Sequence, residues 1–312
     1  MSLLLQLQSI FSKYHLRPVK FRGQNFLIDE NVLDKIIRAA EIKSSDTILE
    51  IGPGLGFLTE RLIARAKKVI AVELDTRLCG VLKDRFKDVK NLEIINQDIL
   101  KINIRHPDPR SRSGEGSLAD AGIASSGEIL PPHQVRGQND GKNILSSCVE
   151  VSGYKVVANI PYEITSLILH KFLTCALRPQ EMVLMVQKEV AERIIGKKQS
   201  YLSVLVGLYG KPEIAAIVPK TAFYPIPKID SATVKIGVKE FSYDERKSAE
   251  SALKLAKIGF AHPRKKVLGN LSGGLHIKKE KIAEIFKKVG LNEGARAEEL
   301  VPNKWLELVQ NL

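Results

Sequence analysis

Thr47-Ile48-Leu49-Glu50-Ile51-Gly52-Pro53-Gly54-Leu55-Gly56 is the stretch on which the fold turns. Its first half is a short apolar run with β-branched members, and its second half is a glycine-rich turn; together they read as a buried strand ending in a tight bend. The bend opens a helix marked by Leu58, Leu62 and Ile63. Gly52, Gly54 and Gly56 carry no Cβ, so the backbone there can come close to a ligand. Working outward, further strands are expected over residues 69–74, 92–95, 154–158 and 182–187, with helical spacing between them. That alternation predicts an α/β protein with a parallel, doubly wound sheet. Residues 214–218 and 232–238 follow with a proline-rich loop between them, too short for a crossover helix, so this last pair should be antiparallel. Upstream, a basic amphipathic leader helix is expected, then a second helix capped by Asp29 or Asn31 and marked by Val32, Leu33, Ile36, Ile37 and Ala40.

The glycine spacing selects a ligand class. A dinucleotide fingerprint would carry its third glycine where this chain has Phe57. Here glycines take alternate positions after an acid, Glu50, and a second acid, Glu73, closes the next strand 21 residues after Gly52. A carboxylate at that point can accept hydrogen bonds from both hydroxyls of a ribose. The arrangement looks like the S-adenosylmethionine site of class I methyltransferases. Asp98, at the end of the third strand, can accept from an adenine amine or cap a helix. Leu74 can be an adenine platform or ordinary core.

The second decisive motif is Asn159-Ile160-Pro161-Tyr162, at the end of the apolar run Val156-Val157-Ala158. The lone pair of a nucleobase amine is delocalised into its ring. A carboxamide oxygen on Asn159 and the carbonyl of Ile160 can each accept one amine proton and favour the pyramidal nitrogen that attacks a sulfonium methyl. That is catalysis by orientation and electrostatics rather than by a general base. Pro161 fixes the loop, and Tyr162 offers a face for the base. The motif belongs to the Asn/Asp/Ser-Pro-Pro-aromatic class of amino-methyltransferases, with Ile in place of the first Pro.

Five motifs occur in the order found in the ribosomal RNA adenine dimethyltransferases, and the chain resembles that family over nearly its whole length. They are Gln24-Asn25-Phe26-Leu27, the glycine turn at residues 50–56, Asn159-Ile160-Pro161-Tyr162, Met185-Val186-Gln187-Lys188-Glu189-Val190-Ala191-Glu192-Arg193, and Phe223-Tyr224-Pro225-Ile226-Pro227-Lys228-Ile229-Asp230-Ser231. The resemblance implies a Rossmann-like seven-stranded methyltransferase sheet, mostly parallel with an antiparallel last strand, and a small C-terminal helical domain. It implies S-adenosylmethionine as cofactor and dimethylation of two adjacent adenosines near the 3′ end of small-subunit ribosomal RNA during ribosome assembly. By the same resemblance Gln24, Asn25 and Leu27 close over the cofactor, and Phe223 sandwiches the adenine against Tyr162. Glu163 departs from the Tyr or Asn expected after Tyr162. A long segment around residues 106–147, rich in Gly, Ser and Pro, is also atypical and reads as a mobile surface insertion.

Charge agrees with a polyanionic partner. The net charge is +13, and residues 1–28 hold Lys13, Arg17, Lys20 and Arg22 with no acid. Residues 254–288 hold ten basic residues against Glu280 and Glu284. Clustering of this kind is the footprint of a phosphate-backbone binder. Arg264, Lys265 and Lys266, with Lys254 and Lys257 before them, are expected to contact RNA phosphates. The domains expected are 1–241 for methyl transfer and 242–312 for a helical RNA-binding unit. Three scattered cysteines and six histidines without ligand spacing predict neither disulfide nor metal. No apolar run approaches the roughly 18 residues of a membrane span, and neither a signal peptide nor a cleaved transit peptide is expected. A cytoplasmic monomer acting on the pre-ribosomal small subunit is the expectation. The alternatives are a macrolide-resistance enzyme acting on large-subunit RNA, a non-catalytic RNA-binding factor on the same fold, and a DNA adenine methyltransferase.

Overall fold

The computed structural model describes residues 1–18, 24–106 and 148–312. Most of the expected insertion, residues 107–147, lies outside the described residues, as do Lys20 and Arg22.

Seven strands among these residues form the central sheet: β1 (Thr47–Ile51), β2 (Lys68–Glu73), β3 (Leu92–Asn96), β4 (Lys155–Asn159), β5 (Glu181–Gln187), β6 (Gly210–Val218) and β7 (Ser231–Val238). Their order is β3-β2-β1-β4-β5-β7-β6. The first five run parallel, and β7 is antiparallel to both β5 and β6. The chain thus builds outward from β1 to β3, then crosses back to lay β4 on the other side of β1. The carboxyl ends of β1 and β4 flank a topological switch point, where open α/β sheets place their ligands.

Eleven α-helices are described: α1 (Leu3–Lys13), α2 (Glu30–Ala39), α3 (Phe57–Ile63), α4 (Thr76–Arg85), α5 (Thr165–Thr174), α6 (Lys188–Ile195), α7 (Tyr201–Tyr209), α8 (Tyr243–Gly259), α9 (Val267–Leu275), α10 (Lys279–Lys288) and α11 (Pro302–Gln310). Side-chain alternation along the strands divides the core in two. Leu49, Ile51, Val156 and Ala158 join one cluster, whereas Ile48, Val69, Val157 and Met185 join the other. The second cluster takes in α1 and α2 through Leu3, Leu7, Val32, Leu33 and Ile36. The first runs without a break into the C-terminal helices, down to Trp305. Trp305 is fully buried, its indole nitrogen donating to the Leu300 carbonyl at 3.3 Å. A Cβ at Gly259 would lie 2.3 Å from the Trp305 ring, so only a glycine lets α8 approach α11 this closely.

Two small pairings were not legible in the sequence. Phe26–Leu27 pairs antiparallel with Phe223–Tyr224, setting Phe26 opposite Tyr224 and Leu27 opposite Phe223. Asn103–Arg105 pairs parallel with Cys148–Glu150, reinforced by an Arg105–Glu150 ion pair at 2.8 Å. This second ribbon brings the two ends of the long inter-strand segment together.

Candidate active site

The cavity opens at the carboxyl ends of β1, β2 and β4 and is roofed by the segment Gln24–Leu27. Register explains the gathering. Glu50 stands between Ala71 and Val157, and Ile51 between Val72 and Ala158, so the next residues, Gly52 and Asn159, emerge side by side.

Glycine does different work at each position of the turn. Gly52, Gly54 and Gly56 all have positive φ, at 66°, 59° and 84°, a region open to glycine at no steric cost. Gly52 and Gly54 line the cavity. A Cβ on Gly54 would sit 3.4 Å from the Phe26 ring, so this glycine lets the roof close down on the turn. Gly56, expected at the cofactor, is not among the lining residues. A Cβ there would strike Phe86 at 2.6 Å and Leu82 at 2.9 Å. It serves the seating of α3 against α4. Arg85 braces the turn: its guanidinium donates to the Leu55 carbonyl and lies over the rings of Phe57 and Phe86.

Two acids meet the cavity from below. Glu50 is fully buried, and its Oε2 has no hydrogen-bond partner among the described residues. Burial pushes its carboxyl up to about 8, and the nearby Glu73 adds to the rise. A buried carboxyl with an unsatisfied oxygen beside a cavity is a seat for a cation or donor. Glu73 is also buried, and burial raises its carboxyl against the pull of the Asp75 and Gly54 amides. Its Oε1 accepts from the Asp75 nitrogen at 2.9 Å and its Oε2 from the Gly54 nitrogen at 3.1 Å. Both oxygens keep lone-pair capacity for a hydroxyl. Leu74 is 62% exposed at the same wall, so it is not core. Sequence reading missed Asp75. It lines the cavity, accepts from Gln24 at 3.2 Å and pairs with Arg77 at 2.6 Å; the Arg77 bond holds its carboxyl down at about 2.

Asn159, Ile160, Pro161 and Tyr162 form the opposite wall. The Asn159 Nδ2 donates to the Asn25 carbonyl at 3.4 Å, which leaves Oδ1 as the atom to accept an amine proton. Ile160 is buried and its N–H donates to the Met185 carbonyl at 3.3 Å, pinning that peptide to the end of β5. Tyr162 is half-buried, its hydroxyl 2.7 Å from the Ser231 hydroxyl. Glu163 is exposed beyond it.

Besides Gly56, two expected residues stand outside the cavity. Asp98 caps a short 3-10 turn, its Oδ1 accepting from Leu100 at 2.9 Å, and does not line the cavity. Phe223 is 1% exposed, packed in the same core cluster as Leu27 and Val218. Its backbone is registered against Leu27 of the roof, and it is not among the residues that line the cavity. Arg264, Lys265 and Lys266 are exposed between α8 and α9, and Lys254 and Lys257 are exposed on α8. Among the described residues no group of acids, histidines and cysteines could hold a metal ion, and no helix is long and apolar enough to cross a membrane.

Comparison with known proteins places this geometry. The family model described as Ribosomal RNA adenine dimethylase matches residues 18–312. The chain belongs to the ribosomal RNA adenine dimethylase family. A relative named Ribosomal RNA small subunit methyltransferase A, from Dehalococcoides mccartyi, is 38% identical over 309 residues, covering 98% of this chain and 92% of its own. Its namesake from Moorella thermoacetica is 36% identical over 299 residues, covering 95% and 92%. Among solved structures, a dimethyladenosine transferase from Plasmodium falciparum superposes with a TM-score of 0.66 at 26% identity, over 91% of this chain and 96% of that one. The 23S rRNA methyltransferase ErmE superposes at 0.64 with 23% identity over 92% and 99%, a likeness of fold.

Proposed function

We propose that this chain transfers methyl groups from S-adenosylmethionine to the N6 amine of adenosine in small-subunit ribosomal RNA. It dimethylates two adjacent adenosines near the 3′ end, working as a cytoplasmic monomer on the pre-ribosomal small subunit. The observation that carries this reading is the pairing, across one cavity, of Asn159 and Ile160 on one side with Gly52, Glu50 and Glu73 on the other.

The cavity residues fit S-adenosylmethionine. The orphaned Glu50 oxygen answers a cationic amine, the two Glu73 oxygens answer a ribose diol, and Gly52 and Gly54 leave room for close approach. When bound, that cofactor supplies an electrophilic methyl on a sulfonium. The protein does the rest by placement. In the first transfer Asn159 Oδ1 and the Ile160 carbonyl would accept the two amine protons and hold the nitrogen lone pair toward the donor side of the cavity; in the second, one of them would hold the single proton that remains. Attack disperses charge, and the apolar walls of Leu27, Leu33 and Phe57 keep water away while it does so. The nitrogen becomes acidic once methylated and loses its proton to solvent, so no basic side chain is needed. Tyr162 holds the base by its face. The exposed cations Arg264, Lys265 and Lys266 take the RNA backbone, positioning it without reading sequence.

The test is incubation with labelled S-adenosylmethionine and small ribosomal subunits lacking the modification, with large-subunit RNA as competitor. The expected product is N6-dimethyladenosine confined to the small subunit. Label on large-subunit RNA alone would reassign the substrate, and cofactor binding without transfer would leave a binding role.

A further inference from the structure

The base platform and the last strand of the sheet are joined by one contact. Tyr162 lies in the 3-10 turn Tyr162–Ile164 that follows β4, a turn closed by the Ile164 N–H donating to the Pro161 carbonyl at 3.1 Å and the Thr165 N–H donating to the Tyr162 carbonyl. Its ring is half-buried at the cavity wall, and its hydroxyl meets the Ser231 hydroxyl at 2.7 Å. Ser231 differs from Tyr162 in every respect that matters for rigidity. It is fully buried and opens β7, where it is registered against Gln187 of β5 on one side and Val218 of β6 on the other. The residue before it is fixed as well. The Asp230 carboxylate accepts from the Lys220 nitrogen at 2.9 Å, and its carbonyl accepts from the Lys188 nitrogen at 3.1 Å. Ser231 is therefore anchored from both neighbouring strands and from the loop that carries Phe223.

A tyrosine hydroxyl lies on the long axis of its ring, so a bond there fixes the first side-chain torsion and the place of the ring's far end, while rotation about that axis is left to the packing around the ring. We propose that Ser231 is a positioning residue for the target base: its hydroxyl tethers the far end of the Tyr162 ring, so that the platform for the adenine is held at one place relative to the Asn159–Ile160 acceptors. This rests on the methyl-transfer reading above and adds a residue to it. The physical need is clear. A base held by stacking alone can slide and rotate in its plane, whereas the two amine protons require defined directions. Tethering the platform keeps the swing of the tyrosine itself from adding to those freedoms. The Phe223–Tyr224 strand that pairs with the roof, Asp230 and Ser231 lie on one continuous segment, so the roof and the tether share a single support.

A double-mutant cycle tests it, using the full chain and small ribosomal subunits. Tyr162→Phe keeps the ring and removes the hydroxyl, and Ser231→Ala removes the other partner. Each is expected to lower kcat about tenfold at saturating cofactor, with the S-adenosylmethionine Kd unchanged within about twofold. The double variant is expected to fall no further than either single. Losses that multiply, or a Ser231→Ala enzyme of full activity, would overturn the tether. A second readout requires no RNA: in protein labelled with 13C-tyrosine, the Tyr162 ring signal is assigned by its disappearance in Tyr162→Phe. It should shift and sharpen in Ser231→Ala, and an unmoved signal would overturn the proposal independently. A wild-type chain that transfers no methyl while the ring signal shifts would refute the substrate reading and leave the tether standing.

Discussion

Asn159 and Asn25 meet across 134 residues of sequence, the carboxamide nitrogen of one donating to the main-chain carbonyl of the other at 3.4 Å. The residue that would hold the reacting amine therefore also holds the roof of the cavity. Its two ends serve two partners, and replacing it should disturb them unequally.

Asn159→Ala is expected to lower methyl transfer by at least about a hundredfold, since a directed acceptor is lost where charge develops. Cofactor affinity should weaken only severalfold, through the loosened roof. Filter-trapped label and calorimetric titration give the two numbers. A loss of affinity as large as the loss of rate would reduce Asn159 to a roof anchor.

Glu73→Ala acts on the other side. The Kd for S-adenosylmethionine should rise about ten- to a hundredfold, with kcat near normal once the cofactor saturates. Glu73→Gln keeps one acceptor for the Gly54 or Asp75 amide and should fall between. An unchanged Kd would remove the ribose contact.

Glu50 makes cofactor binding depend on pH. Its carboxyl is raised to about 8 from an ordinary 4.5, so at pH 7 the free protein holds it protonated. A cationic amine seated against it favours the charged form, so binding releases a proton and tightens as pH rises toward 8. Calorimetry at pH 7 in buffers of different ionisation enthalpy should show that proton, and Glu50→Gln should abolish it. Stability of the free protein runs the opposite way. Because the folded state binds more protons than the unfolded one between about 4.5 and 8, this group's contribution falls as pH rises across that window. A thermal-unfolding series should show the slope flattened in Glu50→Gln.

Gly56→Ala is expected to destabilise the fold without a direct effect on the cavity. The position has φ of 84°, and a Cβ would lie 2.6 Å from Phe86. Left-handed backbone and overpacking together should cost about 2–4 kcal/mol. Denaturant midpoints measure the cost. A change confined to cofactor affinity, with stability intact, would return Gly56 to the ligand.

The sheet and its ligand edge were legible because they rest on local signals. The period of the strands, the glycines after Glu50 and the acid at Glu73 each report on a few neighbouring residues, and strand pairing then carries them together. Asp75 was missed because a carboxylate after a strand reads simply as a helix cap; it does cap α4, and its reach to Gln24 depends on the roof. Asp98 shows the reverse, with local capping evident and no place on the cavity wall. Phe223 was placed in the base sandwich by its motif, yet its burial is set by Leu27, far away in sequence. The Ser231–Tyr162 contact left no trace in either motif, since two hydroxyl-bearing residues 69 positions apart have no spacing to betray them.

The unbroken core from the sheet to Trp305 has a consequence for how substrate is chosen. Helices α8 and α11 are packed too closely at Gly259 to slide past one another, and so are α7 and α11 at Gly207, where a Cβ would lie 2.5 Å from Pro302. That packing sets, on the proposed reading, one span between the methyl-donor cavity and the basic loop at Arg264, like the jaws of a caliper. On the proposed reading, an adenosine is modified only where the surrounding RNA fold puts gripped phosphates at that same span. Sequence around the target can vary freely, but the distance cannot.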